Sequence, residues 1–227
     1  MTKKLIGIPG WSTGEGSWGV AKSYLEYFSD FGKVVILSPD EENTNVDLVV
    51  LPGGMDMNPR SYGAVPGFKT GNTDVFKQFF FDVNLPQYVQ SGTSIFGICL
   101  GMQEICAYFG SKLVQHEDFP YSPNRFELVE ELVFTGQGTK ITRNFYDPTS
   151  KEKLKVNSMH HQGVYMKNPT VNGLVVLAHA KGSNNVELVM HESLPIYGVQ
   201  WHPEEINCNI SRFIIDGLLN FPSKMVL

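Results

Sequence analysis

One cysteine of the chain lies where a strand-like run meets a helical pattern, between two glycines. Residues 94–98 are mostly apolar, Cys99 follows them, and residues 97–101 read Gly-Ile-Cys-Leu-Gly. This pattern is typical of a nucleophile elbow, a sharp turn that holds the nucleophile at a strained angle and needs small neighbours. A helix beginning there would direct the positive end of its dipole at the sulfur, which favours a thiolate. Cys99 is therefore a candidate nucleophile, and a small buried hydrophobic cysteine is the alternative interpretation.

A histidine, a proline and a carboxylate follow an apolar segment near the other end of the chain. Residues 197–204 read Tyr-Gly-Val-Gln-Trp-His-Pro-Glu. The proline keeps His202 out of the helical region, and residues two apart in an extended segment face the same way. Glu204 can then bond one imidazole nitrogen and fix the tautomer that presents the other to Cys99. The two motifs together predict a Cys-His-Glu triad for nucleophilic catalysis.

The chain resembles the class I glutamine amidotransferases in both motifs, at residues 97–103 and 199–204. Two further stretches are similar to the gamma-glutamyl hydrolase branch, which includes the gamma-glutamyl-GABA hydrolases. They read Leu-Pro-Gly-Gly-Met-Asp from residue 51 and Val-Asn-Ser-Met-His-His-Gln-Gly from residue 156. The resemblance covers about residues 5–204. It implies a flavodoxin-like α/β fold, with a mainly parallel sheet, helices on both faces and the triad at the carboxyl edge of the strands.

The resemblance also implies how a substrate is held near Cys99. In the family, a backbone N–H from the glycine turn and the N–H after the nucleophile form the oxyanion hole, which implies Gly54 and Leu100 here. Gln103 is implied to contact the bound glutamine, since a carboxamide both donates and accepts hydrogen bonds. From the residues alone, Pro-Gly-Gly at 52–54 also fits an ordinary turn, and Gln103 also fits a capping or surface position. No cofactor is implied.

Residues 156–163 carry two adjacent histidines. By resemblance, the backbone around Ser158 and Met159 holds the alpha-amino and carboxylate groups of the substrate, while His160 and His161 shape the pocket wall. Paired histidines are also common metal ligands. Adjacent histidines point to opposite sides of an extended strand, however, and no Asp, Glu or Cys stands nearby in the sequence to complete a ligand set. We therefore expect no metal here.

Length and composition favour one globular domain over residues 1–227. Hydrophobic residues make up 42% and charged residues 18%, as in ordinary globular proteins. A net charge of -5 without a dense Lys/Arg cluster argues against direct nucleic-acid binding. Three cysteines without Cys-x-x-Cys spacing fit a reducing compartment, and no run has the length of a signal peptide or a membrane span. We expect a cytoplasmic protein without membrane association, and its oligomeric state stays open.

Hydrophobic patterns predict strands and helices that alternate, which favours a sheet covered on both faces. Predicted strands cover residues 4–8, 33–37, 46–51, 94–98, 113–116, 126–129, 131–134, 173–179, 186–190 and 194–201. Predicted helices cover residues 19–31, 75–90, 102–109 and 206–219. Residues 9–19 and 56–74 are predicted loops, the second overhanging the site. The inward side chains expected on the second and last helices are Phe76, Phe79, Phe80, Val83, Ile210, Phe213, Ile214 and Leu218.

The expected reaction follows from the triad. His202, oriented by Glu204, takes the thiol proton of Cys99, and the thiolate attacks a gamma-glutamyl carbonyl to form a thioester that water hydrolyses to glutamate. A gamma-glutamyl hydrolase releases an amine, whereas a glutaminase subunit passes ammonia to a synthetase partner. Leu100 stands where gamma-glutamyl-GABA hydrolases usually have arginine. The sequence found here, Gly-Ile-Cys-Leu-Gly-Met-Gln, is more common in synthetase-coupled glutaminases. A third reading is an inactive relic that binds a glutamine-like ligand or a partner.

Overall fold

The computed structural model describes residues 3–14, 16–38, 44–67, 70–115, 122–138, 154–166 and 170–221. The strands are β1 Leu5–Pro9, β2 Trp11–Gly14, β3 Ser17–Gly19, β4 Lys33–Leu37, β5 Leu48–Leu51, β6 Ser94–Ile98, β7 Leu113–Gln115, β8 Glu130–Phe134, β9 Lys155–Val156, β10 Gln162–Val164, β11 Thr170–Val171, β12 Leu174–Ala180, β13 Val186–His191 and β14 Ile196–Val199. The helices are α1 Lys22–Ser29, α2 Val75–Phe79, α3 Leu85–Gln90, α4 Leu100–Tyr108, α5 Pro203–Ile206 and α6 Asn209–Leu219. A π turn, Phe80–Asn84, joins α2 to α3, and a 3-10 turn covers Pro59–Tyr62.

One mixed sheet organises the molecule, in the order β4-β1-β5-β6-β14-β13-β12-β8-β9, with β11 paired to β12. Strands β4, β1, β5, β6 and β14 are parallel neighbours, whereas the pairs from β14 through β13, β12 and β8 to β9 are antiparallel. The predicted flavodoxin-like fold class is confirmed. The parallel strands form one half of the sheet, and antiparallel strands extend it. Short connections, which suit antiparallel pairing, join β12 to β13 and β13 to β14.

Apolar side chains cover both faces of this sheet. On one face α1 and α6 contribute to a core that contains the fully buried Phe28 and Trp201. On the other face the π turn, α3 and α4 contribute to a core around Met102 and Ile105. Every residue of β5 and β6 is buried, as expected for parallel strands between two helical layers. The carboxyl ends of β5, β6 and β14 therefore meet in one rigid edge, at which ligands of such sheets bind.

Some elements differ from the sequence-based expectation. The predicted loop at residues 9–19 contains a hairpin of β2 and β3. The predicted last helix begins at Asn209 and not at Ile206, which instead ends the short α5, because Asn207 adopts a left-handed conformation with φ 49°. Residues 126–129 form no strand, and His116, the last residue of one predicted strand, lies outside the described residues. No helix in the described ranges is long and apolar enough to cross a membrane.

The predicted buried face of residues 75–90 is only partly right: Phe80 is buried as predicted and Phe76 is half-buried. Phe79 and Val83 are exposed, whereas the buried side chains of this stretch are those of Lys77, Phe80, Phe81, Asn84, Leu85 and Tyr88. The π turn adds a residue to one helical turn and so shifts the phase of the pattern. Two of the buried residues are polar, which hides the true face from a hydrophobicity count. In α6, Ile210, Ile214 and Leu218 are buried as predicted, but Phe213 is exposed.

Candidate active site

Cys99 lies at the sharp turn between β6 and α4. Its backbone has φ 52° and ψ -106°, a strained conformation for a residue other than glycine. Both flanking glycines are required by close packing: a Cβ on Gly97 would lie 2.6 Å from the Gly101 backbone, and one on Gly101 would lie 2.1 Å from the Leu51 oxygen. The predicted strand, turn and helix around Cys99 are confirmed, and its role as nucleophile stays a prediction.

His202 and Glu204 make the predicted contact, since His202 Nδ1 lies 2.7 Å from Glu204 Oε1. Their geometry differs from the one expected. Strand β14 ends at Val199, and His202 precedes α5, whose first turn contains Glu204. Proline at the first helical position starts this short helix immediately after His202. The carboxylate therefore reaches the imidazole from a helical turn and not from the same side of an extended strand.

The surroundings of His202 favour its protonated form. Burial of the imidazole opposes protonation, but the charge of Cys99, a hydrogen bond to Cys99 and the interaction with Glu204 outweigh it and raise the pKa of His202 to about 10. A protonated imidazole beside a cysteine favours a reactive thiolate. All three cysteines of the chain are free, and burial raises the pKa of Cys106 to about 12, which makes that thiol a poor nucleophile at neutral pH. These electrostatics favour Cys99 over Cys106 as the reactive thiol.

Two residues outside the predicted set hold this arrangement in place. The Gly53 N–H donates to the Tyr24 hydroxyl at 2.9 Å, and burial, followed by the charge of Glu204, raises the pKa of Tyr24 well above its usual value. Tyr24 thus lies between the glycine turn and the carboxylate of the triad. Asn157 Oδ1 accepts a hydrogen bond from the His202 N–H at 2.9 Å. Asn157 belongs to the Asn-Ser-Met-His-His motif, so the sequence offered a signal for it, but none for Tyr24.

A buried lysine donates hydrogen bonds to the glycine turn at residues 52–54, which is predicted to form part of the oxyanion hole. Lys77 Nζ donates to the Pro52 oxygen at 2.6 Å and to the Gly53 oxygen at 2.8 Å. A Cβ on Gly54 would lie 2.7 Å from Lys77 Cε, so the side chain packs directly against the turn. Burial lowers the pKa of Lys77, while the charges of Glu104, Asp74 and Cys99 act in the opposite direction.

Leu100, the second predicted donor, is the first residue of α4. The first backbone N–H groups of a helix have no intrahelical acceptor, so this N–H can bind a ligand at the elbow. Leu100 directly follows Cys99, and Gly54 follows Gly53, on which an added Cβ would lie 3.4 Å from Cys99 Cβ. Their assignment to the oxyanion hole stays a prediction.

Gln103 is neither a surface residue nor a cap. It is buried, and its Nε2 donates to the backbone oxygen of Gln162 at 3.0 Å and to Gln200 Oε1 at 3.2 Å. These bonds tie α4 to β10 and to the residue that follows β14. The side chain thus has a structural role in the described contacts, and its contact with substrate stays a prediction.

The segment between β9 and β10 carries the other predicted substrate contacts. Ser158 is fully buried and Met159 is partly buried. Their predicted backbone contacts with the substrate stay predictions. His160 is buried and His161 is exposed, which agrees with the prediction that the two side chains face different sides. The exposed His161 has its Nε2 3.0 Å from Asp56 Oδ1, which connects this segment to the loop at residues 56–74.

His160 is buried and faces two carboxylates. Its Nε2 lies 3.9 Å from Glu130 Oε2 and 3.9 Å from Glu187 Oε1. The sequence argument that no acidic residue stands near the histidines is therefore wrong in three dimensions. Strands β8 and β13 bring these glutamates from 30 residues before and 27 residues after His160, a distance that sequence spacing cannot reveal.

Replacing Gly53 by alanine is expected to separate His202 from Cys99. An added Cβ would lie 2.7 Å from His202 Cε1 and 3.4 Å from Cys99 Cβ. We expect iodoacetamide to alkylate Cys99 at least about tenfold more slowly at pH 7, because an unassisted thiol is only a few per cent thiolate there. Peptide mapping over time measures the rate. Gly217→Ala, where an added Cβ meets nothing within 4 Å, is the matched control; an unchanged rate in Gly53→Ala contradicts the expectation.

Comparison with known proteins finds a matching family and related sequences. The sequence profile of the peptidase C26 family matches residues 11–204. The glutamine amidotransferase-like protein YvdE of Lactococcus lactis subsp. lactis is 29% identical over 197 residues, which cover 81% of this chain and 79% of that protein. A glutamine-hydrolysing GMP synthase subunit of Thermococcus kodakarensis is 33% identical over 157 residues, covering 69% of this chain and 65% of its own length.

Solved structures show the same fold. A GMP synthase subunit of Thermoplasma acidophilum superposes with a TM-score of 0.62 at 18% identity, over 96% of this chain and 94% of that one. A glutamine amidotransferase of Thermotoga maritima superposes with a TM-score of 0.58 at 16% identity, over 96% of this chain and 83% of that one. At these identities the likeness concerns the arrangement of strands and helices.

Proposed function

The chain belongs to the peptidase C26 family, within the glutamine amidotransferase-like proteins, and on that premise we propose that it is a cysteine hydrolase that cleaves gamma-glutamyl amide bonds. The observation that carries the proposal is the position of Cys99 at a strained elbow beside His202, whose Nδ1 lies 2.7 Å from Glu204. The substrate is a small gamma-glutamyl amide, and the product released from it is glutamate.

In the first half of the proposed reaction, His202 holds the proton of Cys99 and the sulfur attacks the delta-carbonyl carbon. The carbonyl oxygen takes the electron pair and accepts hydrogen bonds from the Gly54 and Leu100 N–H groups, each worth on the order of 3 kcal/mol in the transition state. The oxyanion then collapses and the C–N bond breaks. His202 gives its proton to the departing amine, which leaves a glutamyl thioester on Cys99.

The second half of the reaction hydrolyses this thioester. Neutral His202 takes a proton from water, and the resulting hydroxide attacks the thioester carbon. The same two N–H groups stabilise the second oxyanion. Its collapse breaks the C–S bond, releases glutamate and returns the thiolate with protonated His202. Glu204 keeps the imidazole in one orientation through both halves and stabilises its positive charge.

Recognition of the substrate is assigned to the segment around residues 158–160 and to α4. The backbone at Ser158 and Met159 binds the alpha-amino and carboxylate groups, Gln103 contacts the glutamyl head group, and His160 supports the wall of the pocket. The loop at residues 56–74 is tied to this segment through Asp56 and His161. A loop anchored in this way supports a pocket for the leaving amine within the chain itself.

A glutaminase that passes ammonia from glutamine to a separate synthetase is the second candidate. It is favoured by Leu100 in the elbow and by the 33% identity to the Thermococcus GMP synthase subunit. The inactive relic is less well supported, because Cys99, His202 and Glu204 form a continuous chain of electrostatic contacts.

Glutamate release from a substrate panel separates these candidates. We expect the purified protein alone to hydrolyse gamma-glutamyl amines or gamma-glutamyl amino acids at a higher kcat/KM than glutamine. The same panel is repeated with a cell extract of the source organism, and with Cys99→Ala protein as the control for contaminating hydrolases. Activity on glutamine alone, present only with extract, supports the glutaminase reading. No glutamate from any substrate in either condition supports the relic.

A further inference from the structure

A buried cluster of one imidazole and two carboxylates lies outside the triad. Glu130 begins β8, Glu187 lies in β13, and His160 lies between β9 and β10. Their side chains are 2%, 1% and 3% exposed, respectively. One possible ligand atom from each residue lies within 4.8 Å of the others. Three separate elements of the fold thus converge on one point.

The charge of this cluster is not balanced by a basic side chain. Within the described residues, neither Glu130 nor Glu187 forms an ion pair with lysine or arginine. Glu130 Oε2, the oxygen that faces His160, and Glu187 Oε2 are buried without a hydrogen-bond partner among the residues that the structure describes. Buried carboxylate oxygens without partners are rare and costly. Burial accordingly raises the pKa of both glutamates. The nearby Ser158 hydroxyl acts against this rise at Glu130, and at Glu187 the charge of Glu130 adds to it.

The imidazole is oriented as a metal ligand. His160 Nδ1 lies 2.8 Å from the Gln162 oxygen, so Nδ1 carries the proton that it donates there, and Nε2 presents its lone pair to the carboxylates. A histidine that binds a metal through one nitrogen nearly always donates the other N–H to such an acceptor. Asn185 Nδ2 donates to Glu187 Oε1, which fixes that carboxylate in turn.

We propose that Glu130, His160 and Glu187 bind one divalent transition-metal ion of the Zn²⁺ or Mn²⁺ type. Imidazole and carboxylate together suit these ions, and a charge of +2 balances two ionised glutamates. Tetrahedral ligands at about 2.1 Å from zinc are about 3.4 Å apart. The two 3.9 Å contacts of His160 must therefore shorten by about 0.5 Å, and the two carboxylates, whose ligand oxygens lie within 4.8 Å of each other, must move together on binding. Water completes the coordination.

The ion acts by fixing the fold near the active site. It joins β8 and β13 to the segment at residues 157–161, in which Asn157 holds the backbone of His202. The site is fully buried, so the ion has no contact with substrate. The proposal does not depend on the identity of the substrate.

Metal content and thermal stability of the full-length, tag-free protein test this site. After treatment with a chelator and dialysis, addition of Zn²⁺ is expected to give about one bound ion per chain by plasma mass spectrometry. A free Zn²⁺ concentration about 100-fold above Kd should raise the Tm of the protein by about 5 °C. Glu130→Gln and Glu187→Gln should lose both effects. His161→Gln, which removes the exposed histidine next to His160, is the matched control and should keep them.

Cobalt substitution keeps the test decisive where a glutamate variant fails to fold. Co²⁺ bound in the wild-type cluster should give visible d–d absorption that His161→Gln retains and that Zn²⁺ displaces. Three results overturn the proposal: no retained metal and no change in Tm, metal binding that His161→Gln abolishes, or a Glu187→Gln protein more stable than the wild type. The last result would show that a shared proton, and not a cation, balances the two carboxylates.

Discussion

Replacing His202 by asparagine is expected to lower kcat/KM for glutamate release by about 10⁴- to 10⁶-fold. Asparagine keeps a polar side chain at this position, although a smaller one, but it cannot hold the Cys99 proton or return it to the leaving amine. Cys99→Ala should lose activity to a similar extent, and combining the two changes should cost little more, because the residues act as a unit. Steady-state kinetics on the best substrate of the panel measures the loss.

Two controls make this result specific. Cys106→Ala changes a buried cysteine of the same helix and should retain most of the wild-type rate, since burial raises the pKa of Cys106 to about 12 and removes it from the chemistry. Circular dichroism establishes that each variant is folded. If folded His202→Asn protein keeps more than a tenth of the wild-type activity, another group is the base and the triad is wrong.

Glu204→Gln is expected to shift the pH profile as well as the rate. The pKa of His202 is about 10 because Cys99 and Glu204 outweigh the effect of burial, so the imidazole stays protonated through neutral pH and loses its proton as pH rises through 10. Removal of the Glu204 charge lowers this pKa. The alkaline limb of kcat/KM should therefore move to lower pH in Glu204→Gln, with a residual rate above that of His202→Asn. An unmoved alkaline limb would show that another group causes it.

The elbow and the imidazole–carboxylate pair were predictable because their signals are local. Gly97 and Gly101 surround Cys99 within five residues, and each is required by a backbone approach below 3 Å. The pair of His202 and Glu204 was also predicted, although for a reason that the structure corrects: the contact crosses the first turn of α5. Short-range spacing thus identified the contact without identifying the geometry that makes it.

The supporting residues were not predictable, because their contacts join distant parts of the chain. Tyr24 reaches Gly53 across 29 residues, and Asn157 reaches His202 across 45. The burial of Lys77 was unpredictable for a further reason. The helical face on which Lys77 lies is buried yet contains a lysine and an asparagine, so a count of apolar residues selected the exposed Phe79 and Val83 together with the buried Phe80. A charged side chain that is buried against a backbone turn is invisible to hydrophobic periodicity.

Replacing Lys77 by methionine is expected to lower kcat by about 100-fold, a loss similar to that of one oxyanion-hole donor. Methionine fills the space of the lysine stem but cannot donate to the Pro52 and Gly53 oxygens, which Lys77 contacts at 2.6 and 2.8 Å. Without these bonds the turn no longer fixes the Gly54 N–H. KM should change less than kcat. Alkylation of Cys99 by iodoacetamide needs no oxyanion hole, so it should slow far less than kcat does, and only through loss of the Lys77 charge that interacts with Cys99.

A second set of variants separates the effect of the Lys77 charge from the effect of its hydrogen bonds to the glycine turn. Glu104 interacts electrostatically with Lys77, and burial raises the pKa of Glu104 to about 7. Glu104→Gln alone leaves both carbonyl contacts in place and should stay within about threefold of the wild-type kcat, since it removes no donor from the turn. The double variant Lys77→Met/Glu104→Gln restores charge balance without restoring the contacts, so its kcat should stay low. Recovery of activity in the double variant would show that Lys77 serves to neutralise Glu104 and does not position the oxyanion hole.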